Sequence, residues 1–421
     1  MLGSCYCLES SVVGCLLCHA GCSTDKLASS LAFHPPSPPS YVLRTAPDGT
    51  RVAAFDPLSD DPRLSQDWGA SLRSCEVDEV TTRRGNTVCV LRMRRPGRDA
   101  YGTKATIVVS HGNALDAALF IPFATHIATQ LDANVSVYDY SGYGASSGTP
   151  RVEDCKADIE AVVTHHVDVL GCDPGRIVLY GQSIGSGPTC HYAALAGNNQ
   201  SRSRDGAPSN RHNLTKDGKI AHKVGGVVLI SPIMSGLSVI SPPEGTGVMC
   251  TPACVFKQCD VFKNFDEVAK FACPALVVHG RLDDQVPCSH GVGLHALLGG
   301  GGGGSGGGNG YGNGSGNWKH PEPYWVKNAG HQNVYDADPA QFLARMRRFV
   351  SDVSARASQT GGGGGGGGGG NDVGLMPLPA VELMEPVGNE SRVKPVGRGD
   401  GGAPVVRDAP AGFAPQLMSR N

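Results

Sequence analysis

Short apolar runs rich in β-branched residues, separated by segments long enough for a helix, constrain this chain more than any other feature. They are Ala105 to Val109, Asn134 to Tyr138, Ile177 to Tyr180, Val227 to Ile230, Ala275 to Val278 and Tyr324 to Val326. A run that is apolar at successive positions has no side to show to water. It fits a strand covered on both faces, as in a mostly parallel sheet whose crossover helices lie above and below it. Upstream, Glu76 to Thr82 and Val88 to Met93 flank the turn-like Arg84-Gly85-Asn86 and read as an antiparallel hairpin. Downstream, Pro339 sits near the start of a final helix on which Phe342, Met346, Phe349 and Val350 share one face. The fold class is therefore α/β, with ligands expected at the carboxyl ends of the strands.

Glycine decides how much of the chain takes part in that sheet. The 421 residues include 59 Gly and 29 Pro, more than one compact domain uses. Many of the glycines fall in two tracts: Gly299 to Gly316, broken only by Ser, Asn and Tyr311, and the unbroken run Gly361 to Gly370. Tracts without side chains cannot offset the entropy of ordering and are expected to be disordered. The first lies inside the folded region, because a strand follows it, and so reads as a loop insertion; the polar stretch Asn198 to Lys219 reads likewise. The organisation expected is a Cys-rich segment over 1–26, an α/β domain over 27–356 with inserted loops near 198–222 and 299–317, and a disordered tail over 357–421. With 36 Lys+Arg against 38 Asp+Glu the formal charge is −2, which gives no electrostatic basis for binding nucleic acid. No apolar run reaches the length of a spanning helix, and the N-terminus lacks a signal peptide's basic region and long apolar stretch, so the protein is expected inside the cell.

The pattern G-x-S-x-G marks a sharp strand-to-helix turn that projects a serine hydroxyl above an α/β sheet. In so glycine-rich a chain it recurs by chance, and it occurs around Ser146, Ser183 and Ser305. Ser305 lies in the glycine tract. Ser146 follows its strand by several loop residues and is followed by Gly148-Thr149-Pro150 rather than a helix. Ser183 has the strand Ile177 to Tyr180 before it and a helix-compatible Ser186 to Leu195 after it, so it is the candidate nucleophile.

A serine hydroxyl is a weak nucleophile unless an imidazole takes its proton and a carboxylate holds that imidazole in the right tautomer. In this kind of fold the chain order is nucleophile, acid, histidine, each on a loop after a strand. His279-Gly280-Arg281-Leu282-Asp283-Asp284 follows Ala275 to Val278, which makes Asp283 the expected acid and Asp284 the fallback; Asp283 as a plain turn carboxylate or helix cap is the alternative. Asn328-Ala329-Gly330-His331 follows the strand ending at Val326, which makes His331 the expected base. His111, His126, His165 and His279 fail the order. An alkoxide also needs main-chain N–H donors. Those of Ile184, next to the nucleophile, and of Asn113, in the loop Ser110-His111-Gly112-Asn113, suit that duty, although Gly112 alone would also explain a tight turn there.

Several segments together resemble the alpha/beta-hydrolase domain-containing protein 17 family, membrane-associated depalmitoylases similar to serine peptidases of the prolyl-oligopeptidase type. They are Ser110-His111-Gly112-Asn113-Ala114, Tyr138-Asp139-Tyr140-Ser141-Gly142-Tyr143-Gly144-Ala145-Ser146-Ser147-Gly148 and Tyr180-Gly181-Gln182-Ser183-Ile184-Gly185, with Ser231-Pro232, His279-Gly280 and Asp283, Ser289-His290-Gly291 and Gly330-His331. The resemblance covers about Leu27 to Val350 apart from the insertions. It implies an α/β-hydrolase fold with a mostly parallel central sheet and helices on both faces. It also implies Ser183 as nucleophile, Asp283 as acid and His331 as base, no metal or organic cofactor, and S-acylated proteins as substrates. By the same resemblance the N-terminal cluster Cys5, Cys7, Cys15, Cys18 and Cys22 is S-acylated. Val12, Val13, Leu16 and Leu17 are too few to cross a bilayer, whereas two or more acyl chains give stable attachment. The expected location is the cytoplasmic face of the plasma membrane or of endosomal membranes. Cys15-x-x-Cys18 with His19 is an alternative zinc set that lacks a second ligand pair at finger spacing. The function expected is a palmitoyl-protein thioesterase acting through an acyl-enzyme. A carboxylesterase or serine peptidase on the same residues and a non-catalytic membrane-tethered scaffold are its rivals.

Overall fold

The computed structural model describes residues 26, 29–30, 32–59, 66–95, 100–197, 215–218, 221–240, 260–299 and 319–361. The five N-terminal cysteines, Ser305, the chain beyond 361 and most of both inserted loops lie outside the described residues.

Among the described residues ten strands form two sheets. β1 (Tyr41–Thr45) and β2 (Arg51–Phe55) pair antiparallel as a separate ribbon. The main sheet contains β3 (Glu76–Thr81), β4 (Thr87–Met93), β5 (Thr106–Ser110), β6 (Asn134–Tyr138), β7 (Ile177–Gln182), β8 (Gly226–Ile230), β9 (Ala275–Gly280) and β10 (Tyr324–Val326). Their spatial order is β10-β9-β8-β7-β5-β6-β4-β3. β3 and β4 form the antiparallel hairpin read from the sequence, joined at Arg84-Gly85-Asn86, and β4 runs antiparallel to β6. From β6 to β10 every pairing is parallel.

α1 (Gln66–Arg73) packs on the ribbon strand β2, while α2 (Ala117–Leu131), α3 (Val152–Asp168), α4 (Ser186–Gly197), α5 (Cys288–Gly299) and α6 (Pro339–Gly361) cover the sheet. Successive strand residues point to opposite faces. On β7, Ile177 and Leu179 join the core beneath α3, α4 and α5, with Ile159, Val163, Tyr192 and Leu294, while Val178 and Tyr180 join the core beneath α2 and α6, with Ile121, Ile127, Phe342 and Met346. Each such side chain, fully withdrawn from water, contributes on the order of 1.5–3 kcal/mol. Both faces of the parallel strands are thus sealed, which explains their unbroken apolar sequences.

The β1–β2 ribbon has no counterpart among the elements expected from the sequence, and one expected boundary is corrected. The domain does not end at 356: α6 continues through Gly361, with Ala357 buried and its methyl 3.3 Å from the place a side chain on Gly175 would occupy. The Arg176 guanidinium also donates to Ser358 Oγ at 2.6 Å, so contacts with the main body carry the helix past the expected tail boundary.

Candidate active site

β7 ends directly in the turn that carries Ser183. That residue has φ +54°, a left-handed conformation a side-chain-bearing residue adopts only when its surroundings impose it. The two flanking glycines supply the imposition. A Cβ on Gly181 would lie 2.6 Å from Thr189 Oγ1 and 2.8 Å from Gly185 O, and one on Gly185 would lie 2.1 Å from Ser110 O and 2.7 Å from His111 O. Only glycine at both places lets the chain reverse this tightly while touching the loop after β5. Below the turn, Ser186 Oγ donates to Ser183 O at 2.6 Å and accepts from the Ile233 N–H and Asn264 Nδ2 at 3.2 and 3.1 Å. The hydroxyl of Ser183 is left half-exposed at the carboxyl end of the sheet.

Two further strand ends bring polar side chains to it. His331, in the loop after β10, has Nε2 2.9 Å from Ser183 Oγ and Nδ1 2.7 Å from Asp283 Oδ2. A carboxylate can only accept, so Nδ1 carries a proton, and in the neutral imidazole Nε2 is then the acceptor that faces the serine hydroxyl. Asp283, in the loop after β9, accepts through Oδ1 from the Val286 and Gln285 N–H groups at 2.8 and 3.1 Å. Its neighbour Asp284 is exposed and takes no part. Burial pushes the Asp283 carboxyl up, but the hydrogen bonds from His279 and His331, the positive charge His331 acquires and the Val286 N–H outweigh it. The group is held well below the usual carboxylate range.

His279 is a residue the reasoning from chain order set aside. It is fully buried beneath the acid, with Nε2 2.8 Å from Val286 O and 3.2 Å from Asp283 Oδ2. A carbonyl cannot donate, so Nε2–H is the donor, shared between the carbonyl and the carboxylate. Nδ1, which a side chain on Gly291 would approach to 2.7 Å, has no hydrogen-bond partner among the described residues. The signal was the spacing His279-Gly280-x-x-Asp283, which places a second imidazole against the carboxylate.

The loop after β5 lies against the turn that carries Ser183. The Asn113 and Ile184 amides thus sit on abutting segments, and the Asn113 N–H donates to no group among the described residues. Behind that loop the segment 139–148 acts as a brace. Tyr140 Oη donates to His111 O at 2.6 Å, and Ser146 Oγ donates to Asp139 O at 3.1 Å and accepts from the Cys89 N–H at 2.9 Å. The serine of this second G-x-S-x-G therefore fastens backbone. Asp139 accepts from Tyr41 Oη of β1 and from the Ala117 N–H of α2 at 2.9 Å, and Asp158 accepts from the Ser141 N–H and Oγ, each at 2.7 Å. Among the described residues no cluster of His, Cys, Asp or Glu could hold a metal ion.

This strand order, with a left-handed serine turn after the fifth strand in spatial position from the β3 edge, defines an alpha/beta hydrolase. No model of a protein family matches the chain. It is 31% identical over 348 residues to alpha/beta hydrolase domain-containing protein 17C of Xenopus tropicalis, covering 80% of this chain and 92% of that one. To protein 17B of Homo sapiens it is 30% identical over 348 residues, covering 82% and 97%. An esterase structure from Pyrococcus furiosus matches with TM-score 0.45 and 14% identity, over 70% of this chain and 98% of that one. The chain belongs to the alpha/beta-hydrolase domain-containing protein 17 family.

Proposed function

We propose that this hydrolase is a serine hydrolase that cleaves the thioester between a long-chain acyl group and a cysteine of a membrane-associated protein. The observation that carries the reading is the unbroken hydrogen-bond path from Ser183 through His331 to Asp283. Ser183 Oγ attacks the acyl carbonyl as its proton passes to His331 Nε2, and the Asn113 and Ile184 N–H groups take the oxyanion. Collapse breaks the C–S bond and releases the cysteine thiol, which carries the His331 proton away, leaving an acyl-serine. Water then gives its proton to His331, attacks the ester carbonyl, and the fatty acid leaves as Ser183 is reprotonated. Asp283 stabilises the imidazolium at both stages. Leu282, 65% exposed beside Asp283, gives the rim an apolar side chain suited to an acyl chain.

Family membership and the N-terminal cysteines support a membrane-borne substrate. Among the described residues no helix is long and apolar enough to cross a bilayer, and Cys75, Cys89, Cys155, Cys172, Cys190 and Cys273 are buried. Attachment to the cytoplasmic face of plasma or endosomal membranes through acyl chains on Cys5, Cys7, Cys15, Cys18 and Cys22 is part of this proposal, and family membership supports it. Turnover of an S-palmitoyl peptide, the matching oxygen ester and the matching amide, each with wild type and Ser183→Ala, tests the activity. Thioester cleavage that is fastest of the three and lost in S183A is expected, whereas an inert thioester beside a cleaved oxygen ester would move the protein to the carboxylesterases.

A further inference from the structure

The side chain of Asn113 does not face the nucleophile; it is fastened on the other side of its loop. Its Oδ1 accepts from Tyr143 Oη at 2.8 Å, from the His34 N–H at 3.0 Å and from the following Ala114 N–H at 3.1 Å, and its Nδ2 donates to Ala32 O at 2.8 Å. Tyr143 Oη in turn accepts from the His34 N–H at 3.0 Å. A planar carboxamide held at both ends has no free torsion left, so the direction of its own main-chain N–H is set with it. Ala114, at φ +54°, completes the bend. The strap Ala32-Phe33-His34 cannot drift, because the Phe33 ring packs edge-on against Phe262 with centroids 6.0 Å apart. Phe262 itself lies against the start of α4, where a Cβ on Gly187 would meet its ring at 2.2 Å.

We propose that Tyr143 and the main chain of the Ala32–His34 strap are positioning groups for the oxyanion loop, holding the Asn113 amide in place through its own side chain. The inference rests on the reading above that this amide stabilises the oxyanion. Burial keeps the Tyr143 phenol protonated, and hence a donor, across the working pH range. The strap is drawn from the chain ahead of the first strand and thereby forms part of the site. An interaction that matters only once the alkoxide has formed appears in kcat and leaves KM alone.

Tyr143→Phe removes the clamp hydroxyl and keeps the ring. The full-length variant is assayed on p-nitrophenyl butyrate beside Tyr192→Phe, which loses a comparable buried hydroxyl, bonded to the His222 N–H at 3.1 Å, remote from the loop. For Tyr143→Phe, kcat should fall about ten- to a hundredfold with KM within about twofold, as for a misaimed oxyanion donor. Tyr192→Phe should lower Tm without that kcat loss. Asn113→Ala, which frees the same loop while keeping its amide, should lose kcat similarly, and the double variant should lose no more than the worse single one. If Ser183→Ala abolishes turnover while Tyr143→Phe and Asn113→Ala keep kcat within twofold of wild type, the positioning role is overturned. Turnover that survives in Ser183→Ala would instead remove the catalytic reading and this inference with it.

Discussion

Asp283→Asn tests the site through a geometry that leaves the new amide one orientation. Oδ1 accepts two main-chain N–H groups, so the carbonyl oxygen of the asparagine must stay there. The NH2 then takes the place of Oδ2, facing His331 Nδ1 at 2.7 Å and His279 Nε2 at 3.2 Å. His279 cannot yield, since its Nε2–H is committed to Val286 O. His331 must therefore turn its Nδ1 into an acceptor and move its proton to Nε2, where it points at Ser183 Oγ and cannot receive another. The variant should lose roughly a thousand- to ten-thousandfold in kcat, or about 4–5.5 kcal/mol of barrier, from the wrong tautomer and the missing negative charge. Stopped-time labelling with a fluorophosphonate and steady-state ester hydrolysis both measure it. A variant within tenfold of wild type, with its fold verified by circular dichroism, would refute the assignment of Asp283 as the orienting acid. Stability gives a second readout. A carboxyl held below its ordinary range stabilises the fold above the unfolded-state value, about pH 4, and loses that contribution as pH falls toward the folded value. The Tm advantage of wild type over Asp283→Asn should thus shrink below about pH 4.

Other outcomes follow from single contacts. Gly185→Ala puts a methyl 2.1 Å from Ser110 O, against backbone that cannot step aside, and should cost about 1–3 kcal/mol of stability together with most of the activity, measured by urea unfolding and ester hydrolysis. Burial pushes Asp158 up to about 7 against the bonds from Ser141. The folded state therefore holds its proton more tightly, and stability falls as pH rises from about 4 to that value. Asp158→Asn keeps an acceptor for the Ser141 N–H and a donor for its Oγ, and should flatten that part of a Tm-against-pH curve; an unchanged slope would count against the buried proton. Replacing Cys5, Cys7, Cys15, Cys18 and Cys22 together by serine should move the protein from the membrane to the soluble fraction on sedimentation while leaving hydrolysis of a soluble ester intact.

The parallel strands were legible because burial on both faces leaves an unmistakable sequence: Val227 to Ile230 and Ala275 to Val278 have no polar position to betray a solvent side. The meeting of Ser183, Asp283 and His331 was legible for a related reason, since loops at the carboxyl ends of neighbouring parallel strands converge whatever separates them along the chain. The β1–β2 ribbon was not, because Tyr41–Thr45 fades from buried to exposed and Arg51–Phe55 buries only Ala53 at its middle, so neither strand alternates. Tyr41 earns its place instead through the hydroxyl it gives to Asp139, 98 residues away. His279 escaped because chain order asks only which histidine follows the last strand, not which lies beneath the carboxylate. The clamp ties Asn113 to Tyr143, 30 positions on, and to His34 and Ala32, 79 and 81 positions back, and no local pattern announces it.

β9 and β10 hold each other through the ladder from Tyr324 opposite Val278 to Val326 opposite Gly280. Asp283 and His331 are delivered from the tops of those two rails, so their spacing is insensitive to how much chain is spliced between Gly299 and Lys319. Doubling such a connection adds only about 0.6 kcal/mol of closure entropy. An epitope or fluorescent reporter grafted between Gly299 and Lys319 should accordingly leave the chemistry unchanged.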